Sequence, residues 1–134
     1  FETDLREIPG ATELLRGLRV PCCVASNGPR GKIELLLRLS GLAAFVPPTR
    51  VFSAVELGRY KPDPAVFLHA AEAMGVAPAD CAVVEDSLAG IEAGLRAGMT
   101  VYAYRPHGSL PPALDGQVHR VRSLSALAAI LAAS

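Results

Sequence analysis

A parallel sheet with helices on both faces, an α/β domain, is the fold class this sequence predicts. Short apolar runs recur between segments of helical spacing, and each run is nearly all apolar rather than alternating. That is how strands buried on both faces read. The 12 Gly and 11 Pro mostly fall between the runs, so they punctuate the chain into alternating strands and helices. Its 134 residues suit one domain, and folding at that size buries roughly two thirds of the surface of the unfolded chain.

Each element follows from local chemistry. Pro9-Gly10 closes a polar start, and Leu14, Leu15 and Leu18 at helical spacing predict a short helix over Ala11–Gly17. Val20–Ala25 is an apolar run that stops at Ser26-Asn27-Gly28-Pro29, a strand followed by a turn. Ile33, Leu36 and Leu37 put an apolar stripe on the next helix, which Gly41 ends. Val51–Ala54 is a second short strand. Asp63-Pro64 starts a helix, with Asp63 as N-cap and Pro64 at the first helical position. That helix is expected to bury Val66, Phe67, Ala70 and Met74 and to stop at Gly75. Cys81–Val84 is the third strand. In the helix behind it, Gly90 and Gly94 share a face and allow close approach to a sheet, and Gly98 caps its end. Thr100–Tyr104 is the fourth strand, Arg105–Gly116 a loop and Val118–Val121 a last strand. Leu124, Leu127, Ala128 and Leu131 mark a final helix.

Composition excludes several classes. With 51% hydrophobic and 19% charged residues the chain is not globally disordered. Its 13 basic and 13 acidic side chains balance, so the usual footprint of a nucleic-acid or membrane-surface binder is missing. No apolar run reaches the ~18 residues of a membrane span, and no signal peptide is recognisable. The expected location is the cytoplasm. Cys22, Cys23 and Cys81 lie in apolar runs without a C-x-x-C, which reads as buried reduced thiols, with a zinc site or a disulfide as the alternatives.

Chemistry in such sheets sits at the carboxyl ends of the strands, and three polar groups fall there. Ser26-Asn27-Gly28 offers a hydroxyl and backbone N–H groups to a phosphate oxygen, or else simply makes a turn. Lys61, held extended by the Pro after it, can neutralise a phosphoryl group or a carboxylate nucleophile, or else is an ordinary solvated lysine. Glu85-Asp86 sets two carboxylates after a buried strand, which suits Mg²⁺, or else Asp86 or Ser87 caps the next helix. Asp63 reads as a cap and Arg59 as a surface residue.

Those three segments together resemble the haloacid dehalogenase (HAD) superfamily. Val24-Ala25-Ser26-Asn27-Gly28 looks like its second motif and Lys61-Pro62-Asp63-Pro64 like its third. The run from Val83 through Glu85-Asp86-Ser87 to Ile91 looks like the fourth, in the form common among β-phosphoglucomutase-like enzymes and sugar-phosphate phosphatases, the 6-phosphogluconate phosphatase group included. Ile8-Pro9-Gly10-Ala11 is similar to the segment that re-enters the core after the cap domain. The resemblance implies a Rossmann-like core of which residues 1–134 form the part following the cap. It implies a Mg²⁺-dependent phosphatase working through an aspartyl-phosphate, or a related phosphomutase, on a small phosphorylated metabolite. Ser26 and Asn27 would hold the phosphoryl group, Lys61 would stabilise its charge and that of the nucleophile, and Glu85 and Asp86 would hold the metal.

The family's first motif, Asp-x-Asp-x-Thr on a central strand, does not occur in the sequence. Asp4, Asp63, Asp80, Asp86 and Asp115 are its aspartates, and none has an Asp two residues away. The nucleophile is therefore expected on an upstream segment, together with the cap that selects substrate, and residues 1–134 by themselves are expected to be inactive. By resemblance the first strand lies between Val20–Ala25 and Cys81–Val84. That placement puts those two strands about 10 Å apart, against about 5 Å if they paired directly. Three other readings stay open: a haloacid dehalogenase, which lacks the acidic pair; a receiver domain, in which the acids come first and the Lys last; and a non-catalytic binding module of the same fold.

Overall fold

The computed structural model describes residues 21–104 and 108–122. The helix expected over Ala11–Gly17 and the final helix at Leu124 to Leu131 lie outside them, as do residues 105–107 of the expected loop. In chain order the elements are β1 (Val24–Ser26), α1 (Arg30–Ser40), β2 (Val51–Ser53), α2 (Ala54–Leu57), α3 (Ala65–Met74), β3 (Ala82–Glu85), α4 (Leu88–Arg96), β4 (Thr100–Tyr104), α5 (Pro112–Asp115) and β5 (His119–Val121). Short 3-10 turns at Leu42–Ala44, Pro48–Arg50 and Pro78–Asp80 join them.

All strand pairings are parallel, as the apolar runs predict. β1 pairs with β2, and β3, β4 and β5 form a second ladder in that order. Among the described residues β1 and β3 share no ladder, so they do not close directly on one another. The strands nevertheless belong to one layer, because their side chains alternate between the same two cores. Ala25, Phe52, Val83, Val101 and Ala103 enter a core with α3 and α4, through Val66, Phe67, Ala70, Ile91 and Ala93. Their neighbours Val24, Val51, Val84, Tyr102 and Tyr104 enter a core on the opposite face, with Ile33 and Leu37 of α1.

Helix ends follow the sequence closely. Gly41 at φ 77° closes α1 by donating to the Leu37 and Arg38 carbonyls, and Gly75 at φ 70° closes α3 in the same way. Asp63 accepts a hydrogen bond from the Ala65 N–H at 2.8 Å, so it caps α3, and Pro64 already has helical dihedrals. Gly98 reverses the chain after α4 at φ 77°.

Several expectations are corrected. β1 runs over Val24–Ser26 and leaves out Pro21, which has no N–H to give a ladder, and the two cysteines after it; Val20 lies outside the described residues. The second strand ends at Ser53 rather than Ala54, because Ser53 accepts from the Val55 N–H and starts a helical turn over Ala54–Leu57. Another turn of helix, Pro112–Asp115, interrupts the expected loop, with Pro112 at the position that tolerates it. Ala71 is buried on α3 where Met74 was expected, Met74 being only half-buried. The cysteines are unbridged but only partly buried. No helix among the described residues is long and apolar enough to cross a membrane.

Candidate functional site

Two strand ends and one loop bring the expected residues together. Ser26 is the last residue of β1, Glu85 the last of β3, and Lys61 lies in the loop before α3. Lys61 is no solvated surface lysine: its side chain is 2% exposed, and that of Glu85 1%. Its Nζ donates to the Ala25 carbonyl of β1 at 2.8 Å and to Glu85 Oε1 of β3 at 2.5 Å. One ammonium thus links the two separately paired halves of the sheet. The Phe67 ring lies 4.8 Å from it, on the apolar side. An ammonium has three hydrogens, and the third has no acceptor among the described residues.

Glu85 is held from several sides. Ser87 Oγ donates to its Oε2 at 3.2 Å, and Gly90 of α4 lies directly over the carboxyl group. A Cβ at Gly90 would overlap Glu85 Cδ and Oε2, so the glycine makes the room that the carboxylate occupies. Burial pushes the Glu85 carboxyl up, but positive charge against it, the Lys61 ammonium included, holds it below the ordinary carboxylate range. Ser87 also accepts from the Gly90 N–H at 3.0 Å and caps α4, so the cap is Ser87 rather than Asp86. Asp86, half-buried, sits between the buried Glu85 and this cap.

The first loop is pinned as closely. Ser26, 3% exposed, accepts at Oγ from the Gly28 N–H at 3.0 Å. Its own hydroxyl hydrogen has no acceptor among the described residues, which leaves it to donate to a bound oxygen. The Gly28 carbonyl accepts from Ser53 Oγ at 2.7 Å. Ser53 ends β2 in register with Ser26 and is also 3% exposed. Asn27 turns its side chain to the Lys61 backbone, accepting from the Lys61 N–H at 2.8 Å and donating to the Lys61 carbonyl at 3.4 Å. Sequence reasoning did not single out Ser53. The signal that could have found it is the one that picked Ser26, a hydroxyl residue at the tip of an apolar strand. Asp63 stays with its helix cap, and Arg59 is exposed.

Chemically the arrangement offers a hydroxyl donor and an ammonium hydrogen at the carboxyl edge of the sheet, with Asp86 beside them. Hard cations such as Mg²⁺ take one or two carboxylates and keep waters, so the donor set fits in kind. Among the described residues no group of three His, Cys, Asp or Glu gathers to hold a metal ion. A complete shell would need further oxygen ligands.

Comparison with known proteins supplies the context. A family model described as haloacid dehalogenase-like hydrolase matches residues 1–98. The chain is 38% identical over 128 residues to a 6-phosphogluconate phosphatase of Escherichia coli (strain K12), covering 95% of this chain and 57% of that protein. It is 40% identical over 98 residues to a β-phosphoglucomutase of Bacillus subtilis (strain 168), covering 69% of this chain and 40% of that protein. Among solved structures, a HAD family hydrolase from Deinococcus radiodurans R1 with bound phosphate and sodium superposes with a TM-score of 0.82 at 37% identity, covering 93% of this chain and 58% of that one. The chain thus spans between about two fifths and three fifths of the length of these relatives.

Proposed function

The chain belongs to the haloacid dehalogenase-like hydrolases, and from that membership we propose that the whole protein is a Mg²⁺-dependent phosphatase acting on a small phosphorylated metabolite, a sugar phosphate in kind. The observation that carries this reading is the buried Lys61, drawn between the Ala25 carbonyl and Glu85 with its third hydrogen lacking an acceptor among the described residues. Phosphoryl transfer asks little of a protein beyond positioning and charge neutralisation, and a fixed ammonium beside a fixed hydroxyl meets that need. Ser26 donates its hydroxyl hydrogen to one phosphoryl oxygen, and Lys61 its remaining hydrogen to another or to the nucleophile. Asn27 stands beside them.

Asp86 and Glu85 would supply carboxylate oxygen to Mg²⁺, Asp86 as the more accessible of the two. A bound metal would supply charge neutralisation at the phosphoryl oxygens. The nucleophile is an aspartate outside these 134 residues. Its carboxylate attacks phosphorus, the ester oxygen leaves with a proton, and water then releases inorganic phosphate. The acidic pair also favours a phosphatase over a haloacid dehalogenase, whose chemistry needs no metal.

The test is phosphate release by the complete protein from a panel of sugar phosphates, with and without Mg²⁺. The expected result is turnover that needs Mg²⁺ and falls by about 10²-fold or more in Lys61→Met, in line with losing one preorganised charge contact. Metal-independent release of halide from a haloacid, or turnover unchanged in Lys61→Met, would overturn the reading. Residues 1–134 alone are expected to release none.

A further inference from the structure

We infer that Asn27 is a positioning residue: its side-chain amide sets the register between the loop that carries Lys61 and the strand tip that carries Ser26. This rests on the phosphatase reading for its consequence in turnover, though not for its geometry. The two phosphate-facing groups come from segments far apart in the chain, and Asn27 lies 34 residues from Lys61. A lysine side chain has four rotatable carbons and loses much freedom on being fixed. Aiming its ammonium requires both ends of that stem to be held. The far end is held by the Ala25 carbonyl, by Glu85 and by the Phe67 ring. The near end, the Lys61 peptide, is held by Asn27, which accepts from its N–H at 2.8 Å and donates to its carbonyl at 3.4 Å.

The loop is closed on itself by the Asp63 N–H, which donates to the Tyr60 carbonyl at 2.9 Å, but that bond does not tie it to β1. Gly58, Arg59 and Tyr60 before Lys61 are exposed, and Pro62 after it has no N–H to give. The Arg96 guanidinium reaches the Pro62 carbonyl at 3.3 Å from an exposed side chain, a weaker tie. Asn27 also sits on a turn that cannot shift on its own. Gly28, next to it, is held through its N–H by Ser26 and through its carbonyl by Ser53. The clamp therefore transmits the position of Ser26 directly to Lys61. Both the oxygen and the nitrogen of the Asn27 amide bind the Lys61 backbone, so its side chain bears on substrate through Lys61.

The test uses Asn27→Ala and Asn27→Asp in the complete protein. Aspartate keeps the oxygen that accepts from the Lys61 N–H and loses only the longer bond. In Asn27→Ala the Lys61 amide hydrogen should exchange about tenfold faster or more, with the amides of β4 unchanged, because a local opening has become cheap. In Asn27→Asp that amide should stay protected, which a nonspecific loss of structure would not allow. Turnover in Asn27→Ala should fall about tenfold or more in kcat, with KM within about threefold, as expected when only the aim of a charge is lost. An unchanged Lys61 exchange rate in Asn27→Ala would overturn the clamp. A raised KM at unchanged kcat would overturn the positioning role and make Asn27 a substrate contact. A wild type that turns over no phosphate ester defeats the phosphatase reading and not the clamp, which the exchange rates judge by themselves.

Discussion

Lys61 and Glu85 form an ion pair 24 residues apart in sequence, with both side chains almost wholly removed from water. Taking one partner from such a pair leaves the other charge in a medium that solvates it poorly. Lys61→Met should therefore cost about 3–5 kcal/mol of stability as well as turnover, where a solvated lysine would cost within about 0.5 kcal/mol. Chemical denaturation of the variant beside wild type checks this. A midpoint unchanged within error would mean that Lys61 faces water in solution. Cys23 gives a second residue-level expectation. Burial, then the neighbouring Cys22 and Cys81, raise its thiol from 9.0 to about 11, against a smaller lowering by Arg50. A raised value means less thiolate, so at neutral pH Cys23 should alkylate on the order of a hundredfold more slowly than in the unfolded chain. The stability it contributes is complete below pH 9 and lost as pH rises toward 11. Mass spectrometry after iodoacetamide labelling reads the rate directly, and equal labelling in folded and unfolded chains would contradict the burial.

At the scale of elements, α4 shows how a site constrains a helix that carries none of its proposed contacts. Gly90 yields its side-chain space to the Glu85 carboxyl, and a Cβ at Gly94 would come within 2.7 Å of Val101 Cγ2. An alanine normally gains about 1 kcal/mol over glycine inside a helix. Gly90→Ala should instead lose about 1–3 kcal/mol by overpacking, and should displace Glu85 from Lys61. Gly31 in α1 has nothing within 4 Å of where a Cβ would stand. Gly31→Ala should be neutral or gain up to about 1 kcal/mol, so the two thermal midpoints should move in opposite directions. A gain in Gly90→Ala would show that the carboxyl lies elsewhere.

The strands and helices were legible because burial on both faces writes continuous apolar runs, and glycines at positive φ close the helices between them. Ser26, Lys61, Glu85 and Asp86 were legible as polar residues at or near strand ends. The pairing of Lys61 with Glu85 was not, since it depends on how α4 seats on β3. Nor was the clamp by Asn27, because an Asn in a turn looks the same whichever backbone it holds. Ala54–Leu57 stayed hidden because a single turn of helix has no periodicity to read.

For the whole molecule, the arrangement of the strands carries the most weight. β1 and β3 feed the same two cores yet share no hydrogen-bonded ladder among the described residues. Val24 and Val84, one on each strand, are only half-buried although both pack against the α1-side core. An added central strand that carried the nucleophilic aspartate would pair with both edges and cover both valines. It would also deliver the carboxylate beside Ser26, Lys61 and Asp86, where the Lys61 ammonium already stands to neutralise charge. Ser26 and Lys61 are proposed to receive a phosphoryl group there. A crystal structure of the complete protein with bound inorganic phosphate and Mg²⁺ tests it most directly. The expected structure has one phosphate oxygen within about 3 Å of both Ser26 Oγ and a neighbouring donor, and another within about 3 Å of Lys61 Nζ, ordinary charge-assisted hydrogen-bond lengths. Phosphate bound away from Ser26 and Lys61, with Lys61 still confined to Ala25 and Glu85, would contradict it.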